Sequence, residues 1–379
     1  MKVLMIASNG ESLFTFRGHL LASMVAEGHH VLAAAPNIPD ELEGRLKGLG
    51  VQVRRYPLAR ASISPLGDLR TIASLISMCS AERPDLVLAY TIKPVVFGLI
   101  AAGLSGVPRL SALITGLGYA FGESTIAQRA TGLVADLLYR LSLPQAHTVF
   151  FQNPDDAAEF ISRGLVTRSR CVVVDGSGVD LAQFSPTPAP INPISFLLIS
   201  RLIREKGIVE FAEAARRLRQ EFPSARFDLV GPTDPNPSGI PLSEILGWQS
   251  AGLIRYHGEA KDVRPMIGAT SVYVLPSYYR EGTPRTVLEA MSCARPVITT
   301  DMPGCRETVQ DGVNGYLIPP RDIDALTTAM RRFLLDPQLV VRMGAQGRAI
   351  ACERYDVHRV NRRMLAQLRL DAISAGGRR

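Results

Sequence analysis

Short runs of apolar, β-branched residues alternate with helical patterns along this chain, and the whole alternation occurs twice in succession, an order that few folds accept. In the first half, residues 3–7, 31–35, 51–56, 86–89, 109–114 and 148–152 read as strands, separated by helical periods such as 17–27 and 69–81. The second half repeats the pattern with strands at 194–200, 226–230, 254–257, 272–275, 297–300 and 315–318, and helices at 208–221 and 286–293. Strands that alternate with helices pair in parallel, because a crossover between parallel neighbours needs the length of a helix. The expected fold class is therefore α/β, with two Rossmann-like domains facing each other across a cleft that holds the active site. The proline-rich stretch Phe184-Ser185-Pro186-Thr187-Pro188-Ala189-Pro190 reads as the linker. It places the domains at residues 1–185 and 186–356, with 357–379 as a closing helix and basic tail.

At 379 residues, 46% hydrophobic and 20% charged, the chain is long enough for two ordinary cores. Its five cysteines are far apart and form no Cys-x-x-Cys, so neither a disulfide framework nor a zinc site is expected. The apolar run at 3–7 stops at Ser8-Asn9-Gly10-Glu11, too short for a signal sequence, and no stretch approaches the ~20 apolar residues of a membrane span. A cytoplasmic protein is expected. The first strand is followed by Ser8-Asn9-Gly10-Glu11-Ser12, which has one glycine where a dinucleotide fold needs Gly-x-Gly-x-x-Gly, and this argues against an oxidoreductase. The net charge of +7 gathers at the end, where six arginines from Arg359 onward face one acid, Asp371. That tail is either a solvated helix with a loose end or a contact for anionic lipid on the inner face of the cell membrane. No nucleic-acid partner is expected, since the basic residues are not interleaved with aromatics.

The segment that carries chemistry is Glu281-Gly282-Thr283-Pro284-Arg285-Thr286-Val287-Leu288-Glu289, which follows the strand 272–275 and its Pro276-Ser277 stop. Pro284 suits the first turn of a helix, which should leave the N–H groups of Arg285, Thr286 and Val287 pointing outward. A helix start of this kind attracts phosphate, and Gly282 lets a ligand approach the backbone. Glu281 before the start and Glu289 inside the helix are then acceptors for sugar hydroxyls on either side of a diphosphate. Ser200-Arg201-Leu202-Ile203-Arg204-Glu205-Lys206-Gly207 lies at the end of another strand. Its Arg201 and Lys206 offer a planar fork and a mobile point charge to a diphosphate leaving group. Gly231 and the loop His257-Gly258-Glu259-Ala260 end neighbouring strands and would border a base, His257 being read as a satisfied strand-end histidine. In the first half Thr91-Ile92-Lys93-Pro94 and Thr115-Gly116-Leu117-Gly118-Tyr119 follow strands on the acceptor side, and residues 125–140 read as a helix with an apolar stripe, either core-packed or interfacial.

The run from Glu281 to Glu289, with Pro303-Gly304-Cys305-Arg306-Glu307, Asp311-Gly312-Val313-Asn314-Gly315 and the Arg201-to-Gly207 motif, resembles the C-terminal half of a retaining family 4 glycosyltransferase of GT-B fold. Ser8 to Ser12, Ile114 to Gly118, and Leu229-Val230-Gly231 with Asn236-Pro237-Ser238 bring it nearest to bacterial enzymes that add an N-acetylhexosamine to a polyprenyl-diphosphate-linked sugar. The resemblance implies transfer from a UDP-sugar to a lipid-linked saccharide, without a metal or other cofactor. It implies catalytic Glu281, Arg201 and Lys206. Donor contacts would come from Gly10, Gly231, Glu259, Gly282, Thr283, Pro284, Arg285, Thr286, Val287 and Glu289. Many relatives carry a histidine where this chain has Thr115-Gly116, so no side-chain base is assigned. A GT-B transferase with another donor or a soluble acceptor, and a non-catalytic nucleotide-sugar-binding module, are the alternatives.

Overall fold

The computed structural model describes residues 1–59, 64–118, 126–236 and 238–371, with the side chains of 126–130 excepted. The chain forms two compact units, one of Met1–Ser177 with Val357–Arg379 and one of Gly178–Asp356. In the first, seven strands, β1 (Lys2–Ile6), β2 (His30–Ala35), β3 (Gln52–Arg55), β4 (Leu86–Tyr90), β5 (Arg109–Ile114), β6 (Thr148–Phe151) and β7 (Cys171–Val173), form a parallel sheet in the order 3-2-1-4-5-6-7. In the second, β8 (Ser195–Ile199), β9 (Arg226–Val230), β10 (Arg255–Tyr256), β11 (Val272–Leu275), β12 (Val297–Thr300) and β13 (Gly315–Ile318) form a parallel sheet in the order 10-9-8-11-12-13.

Both sheets are buried on both faces, as parallel sheets with helical crossovers must be. Strand periodicity divides the core into layers. In the first unit Leu4, Ile6, Leu32 and Val87 pack with the helix Ile92–Leu104 on one side, while Val3, Met5, Val31 and Leu88 pack on the other. In the second, Phe196, Leu198, Phe227 and Val274 face Phe211 and Phe333, and Leu197, Ile199, Tyr273 and Leu275 face Leu288 and Met291. The helix Val357–Gln367 returns to the first unit, where Met364, Leu365, Leu368 and Leu370 join the layer of Val3 and Met5.

Two expectations change. The strand β7 was not anticipated, being three half-buried residues paired with β6 only. The proline-rich stretch is not a free linker, because its start is part of the second unit: Phe184 is buried and its carbonyl accepts from Ser292 Oγ at 2.6 Å. The division falls instead at Ser177 and Gly178.

Arg295 fastens this segment down. It is fully buried, and its guanidinium donates to the carbonyls of Ile267 (3.0 Å), Thr187 (2.8 Å), Cys293 (2.8 Å) and Gly268 (2.7 Å) and to Thr187 Oγ1 (2.8 Å). The planar fork reaches acceptors on three segments at once, which an ammonium cannot do. Each buried acceptor stranded by its removal costs on the order of 1–3 kcal/mol. Arg295→Met should therefore lower the unfolding free energy by about 3 kcal/mol or more in urea titration. A loss under about 1 kcal/mol would mean that the stretch is held by other contacts.

Candidate active site

From β8 the second unit's chain moves outward through β9 and β10, then returns to the other side of β8 at β11. The loops after β8 and β11 therefore diverge and leave a crevice at the carboxyl ends of these two strands, the place where open α/β sheets bind ligands. Lys206, in the turn Arg204–Lys206, and Glu281 come from those two loops and form an ion pair, with both side chains close to nine-tenths buried. Ser277 Oγ lies 3.0 Å from the same carboxylate oxygen, and the Lys206 ammonium sits 5.3 Å from the centre of the Tyr279 ring. The loops also bind each other through backbone: the N–H groups of Tyr278 and Tyr279 donate to the Glu205 carbonyl at 2.8 and 3.1 Å. Gly207 makes this contact sterically possible. Its φ is +75°, and a Cβ there would stand 2.2 Å from the Pro276 carbonyl oxygen. Behind β12, Gly304 supports the Glu281-Gly282 turn in the same way, a Cβ at that position falling 1.9 Å from the Gly282 carbonyl oxygen.

The helix that follows runs Arg285–Ser292, so Pro284 occupies the capping position one residue before the first turn that was expected for it. Val287 N–H is also not an outward donor, because it bonds the Pro284 carbonyl at 3.1 Å. Thr286 is better placed: its hydroxyl accepts from Tyr273, a fully buried β11 residue whose phenol is 2.6 Å from Thr286 Oγ1 and 3.1 Å from the Ile199 carbonyl. One turn on, Glu289 is buried and paired with Arg285, Nε to Oε1 2.8 Å. Burial pushes the Glu289 carboxyl up to about 7, against the pull of the Arg285 charge and hydrogen bond.

Arg201 follows β8 directly, and its Nη1 donates to Asp234 Oδ2 at 2.6 Å. The two cations expected to wait for phosphate are thus each already bonded to a carboxylate. Gly231 ends β9 with φ +147°, where a Cβ would lie 1.7 Å from the Ser200 carbonyl oxygen, and its N–H bonds the Gly258 carbonyl at 2.8 Å. Glu259 stands exposed beyond β10. His257 is satisfied, its Nε2 lying 2.7 Å from Asp228 Oδ1.

All but one of the named residues thus gather at the carboxyl edge of one sheet. The exception, Gly10, belongs to the first unit, where it opens the helix Gly10–Thr15 and lies so close to Asn37 that a Cβ would meet that residue's carbonyl oxygen at 2.2 Å. Close backbone packing accounts for that glycine. Also in the first unit, Thr91 adopts φ +67° and its hydroxyl donates to Ser8 Oγ at 3.0 Å, while Lys93 pairs with Asp68 at 2.9 Å. Gly116 and Gly118 both have positive φ, and Tyr119 lies outside the described residues. Among the described residues there is no group of three or more side chains able to hold a metal ion, and no helix long and apolar enough to cross a membrane. Sequence reading missed Asp234, Tyr273 and Ser277, which touch the expected residues without belonging to a motif on their own.

Two family descriptions match the chain in tandem: "Glycosyl transferase 4-like domain" over residues 15–175 and "Glycosyl transferases group 1" over residues 193–336. The chain is 28% identical over 379 residues to the N,N'-diacetylbacillosaminyl-diphospho-undecaprenol alpha-1,3-N-acetylgalactosaminyltransferase of Campylobacter jejuni, covering 96% of this chain and 97% of that one. It is 28% identical over 308 residues to the UDP-Gal:alpha-D-GlcNAc-diphosphoundecaprenol alpha-1,3-galactosyltransferase of Escherichia coli, covering 75% of each. Among solved structures it is similar to Anabaena HepE in complex with UDP-glucose, with TM-score 0.76, 22% identity and coverage of 97% and 99%. It is also similar to a sucrose-phosphate synthase from Thermosynechococcus elongatus, with TM-score 0.81, 20% identity and coverage of 97% and 98%. A parallel sheet in each unit, a donor-type motif at the switch point of the second, and these tandem matches lead to one conclusion: the chain belongs to the glycosyltransferases of GT-B fold, a 4-like domain followed by a group 1 domain.

Proposed function

We propose that this enzyme moves an N-acetylhexosamine from its UDP-linked form to a polyprenyl-diphosphate-linked saccharide, with retention at the anomeric carbon and without a metal ion. The observation that carries the reading is the Lys206–Glu281 pair at the switch point, beside the start of the helix Arg285–Ser292. The donor class is supported by HepE, crystallised with UDP-glucose, and the transferred sugar and lipid-linked acceptor by the Campylobacter relative.

In this reading the diphosphate lies against the helix start, where the first-turn N–H of Thr286 has no acceptor within the helix itself. Ammonium and guanidinium groups have donors to spare, so Lys206 and Arg201 can bond phosphate while keeping their carboxylates. Glu289 takes ribose hydroxyls and Glu281 those of the sugar. With Lys206 and Ser277 on it, the Glu281 carboxylate is a poor nucleophile, so a double displacement through it is disfavoured. The acceptor oxygen instead forms its bond to C1 on the face from which the β-phosphate departs, and its proton passes to the leaving phosphate oxygen. Lys206 and Arg201 stabilise the charge that grows there.

The protein is proposed to work as a peripheral partner of the membrane. On the helix Ile126–Ser142, Leu133, Leu137 and Leu141 are more than half exposed along one side, with Val134 beside them. Apolar side chains on one stripe of a surface helix suit the interface plane of a bilayer. Thr125 and the tail arginines Arg378 and Arg379 lie outside the described residues.

Incubation with a panel of UDP-sugars and a polyprenyl-diphosphate-linked saccharide should yield product with an N-acetylhexosamine donor; failure with every donor would defeat the reading. Glu281→Gln and Lys206→Ala should each cut kcat about a hundredfold or more, with a chelator leaving the wild-type rate unchanged. Near-normal rates in both variants would remove the pair from the reaction.

The Glu289 carboxyl also dictates a pH response. Its folded pKa lies above the unfolded value, so the native state binds the extra proton, and its contribution to stability is lost as pH rises from about 4.5 to about 7. Ribose hydroxyls prefer the carboxylate as acceptor, so UDP affinity should rise through pH 7, and Glu289→Gln should flatten that rise beyond the nucleotide's own titration. An unaltered profile in the variant would place Glu289 away from the nucleotide.

The membrane contact is tested by sedimentation with anionic phospholipid vesicles. The protein should pellet with them, and Leu133→Asn combined with Leu137→Asn should lower the pelleted fraction several-fold. Equal pelleting of both proteins would exclude this stripe.

A further inference from the structure

We propose that Asp234 is the positioning residue for Arg201, aiming its guanidinium at the donor's diphosphate; this rests on the nucleotide-sugar reading of the same site. Arg201 projects from the end of β8 on a long side chain that has much rotamer freedom to lose on binding phosphate. Asp234 removes much of that freedom beforehand, through the 2.6 Å bond to one terminal nitrogen. Donors remain for phosphate beyond those used by Asp234 and Tyr279, because a guanidinium has five N–H groups. Burial works against the Arg201 charge, and the hydrogen bonds that Arg201 donates to the Asp234 carboxylate and the Tyr279 phenol oxygen more than offset that.

The loop that carries Asp234 is built as a strap across the β8 loop. Leu202 N–H bonds the Pro232 carbonyl (2.9 Å), Ile240 N–H the Leu202 carbonyl (2.8 Å) and Arg204 N–H the Ser238 carbonyl (3.0 Å). Asp234 and Asn236 fold the strap on itself: Asp234 Oδ1 accepts from Asn236 N at 2.9 Å, and Asn236 Oδ1 from Ser238 N at 3.1 Å. At its far end Gly239 lies so near that a Cβ would be 2.3 Å from the Asp234 carbonyl oxygen. Pro237 lies outside the described residues. The two oxygens of one carboxylate thus divide their work, Oδ1 shaping the strap and Oδ2 holding the arginine. At 13% exposure the Asp234 side chain is too enclosed to be a casual surface partner, while Arg201, at 43%, remains open to a ligand.

A second effect opposes the first, since Asp234 also repels the phosphates. The buried geometry favours orientation as the larger effect, and the experiment reads the sign directly. Asp234→Asn keeps an acceptor for the strap and removes the charge. It should bind UDP about tenfold more weakly than wild type in a competition assay, and bind uridine, which has no phosphate, equally well. Its melting temperature should not change. The UDP-sugar kcat/KM should fall in step with UDP affinity, and in an Arg201→Ala background the same substitution should have no further effect. Arg201→Lys, which leaves the strap untouched, should reproduce the loss of UDP binding even where Asp234→Asn proves hard to fold. Equal or tighter UDP binding by Asp234→Asn, equal losses for UDP and uridine, or a persisting effect without Arg201 would each overturn the proposal. Unaltered UDP binding by Arg201→Ala would instead sink the donor-site reading, and the proposal with it.

Discussion

An ammonium from the loop after β8 meets a carboxylate from the loop after β11, and the second unit's site is organised around that meeting. Sheet topology brings the loops to adjacent strand ends yet sends their chains in opposite directions, so something must hold the crevice edges in register. Backbone does part of this, with Glu205 accepting from Tyr278 and Tyr279 and Gly207 resting under the Pro276 carbonyl. The ion pair does the rest, and its enclosure matters: breaking a mostly buried pair by deleting one partner leaves an uncompensated charge, which costs roughly 3–5 kcal/mol. Lys206 and Glu281 therefore depend on each other structurally as well as chemically.

The same pairing recurs nearby. Arg201 with Asp234 and Arg285 with Glu289 give three cation–carboxylate pairs around one strand edge. A site of free cations would bind any polyanion strongly and order poorly when empty. In a site of paired ones the local charge stays balanced, and selectivity passes to geometry: only a ligand that uses the spare donors without displacing the carboxylates gains the full set of bonds. On the proposed reading a diphosphate with hydroxylated groups on both sides meets that requirement, since its hydroxyls would donate to carboxylates that hold the cations.

Much of this was legible before any coordinates. The second unit's central strands β8, β11 and β12 appear where short apolar or β-branched runs were bounded by Pro or Ser, because a strand buried on both faces has no other way to be written. The edge strand β7 escaped notice because three half-buried residues carry too little pattern. The linker was misplaced because prolines mark where a helix cannot run, which says nothing about whether a buried arginine elsewhere binds the carbonyls they leave exposed. Glu281, Lys206 and Arg201 stood out by position after strands. Asp234 and Tyr273 did not, since a residue that acts through another is invisible until the two are brought together, here across 33 and 13 positions.

The two switch points differ in the side chains they present. In the first unit the corresponding gap lies between β1 and β4, where Ser8 is bonded to Thr91 and Ser12 to Tyr90 at 2.7 Å, with the Arg17 guanidinium 5.5 Å from the centre of the Tyr90 ring. The nearby cation Lys93 is turned to Asp68 and to the Ala59 carbonyl at 2.8 Å. Hydroxyls beside a stacked guanidinium offer contacts to a saccharide, whereas the second unit has three cation–carboxylate pairs and the helix start. Thr91 sharpens the point, because a β-branched residue at φ +67° is held against its own steric preference and such strain gathers where a fold must present a group in one direction. On the proposed reading, one topology used twice yields an end rich in paired charges for the donor and one rich in hydroxyls for the acceptor, and the difference lies in a handful of loop residues placed on nearly the same scaffold.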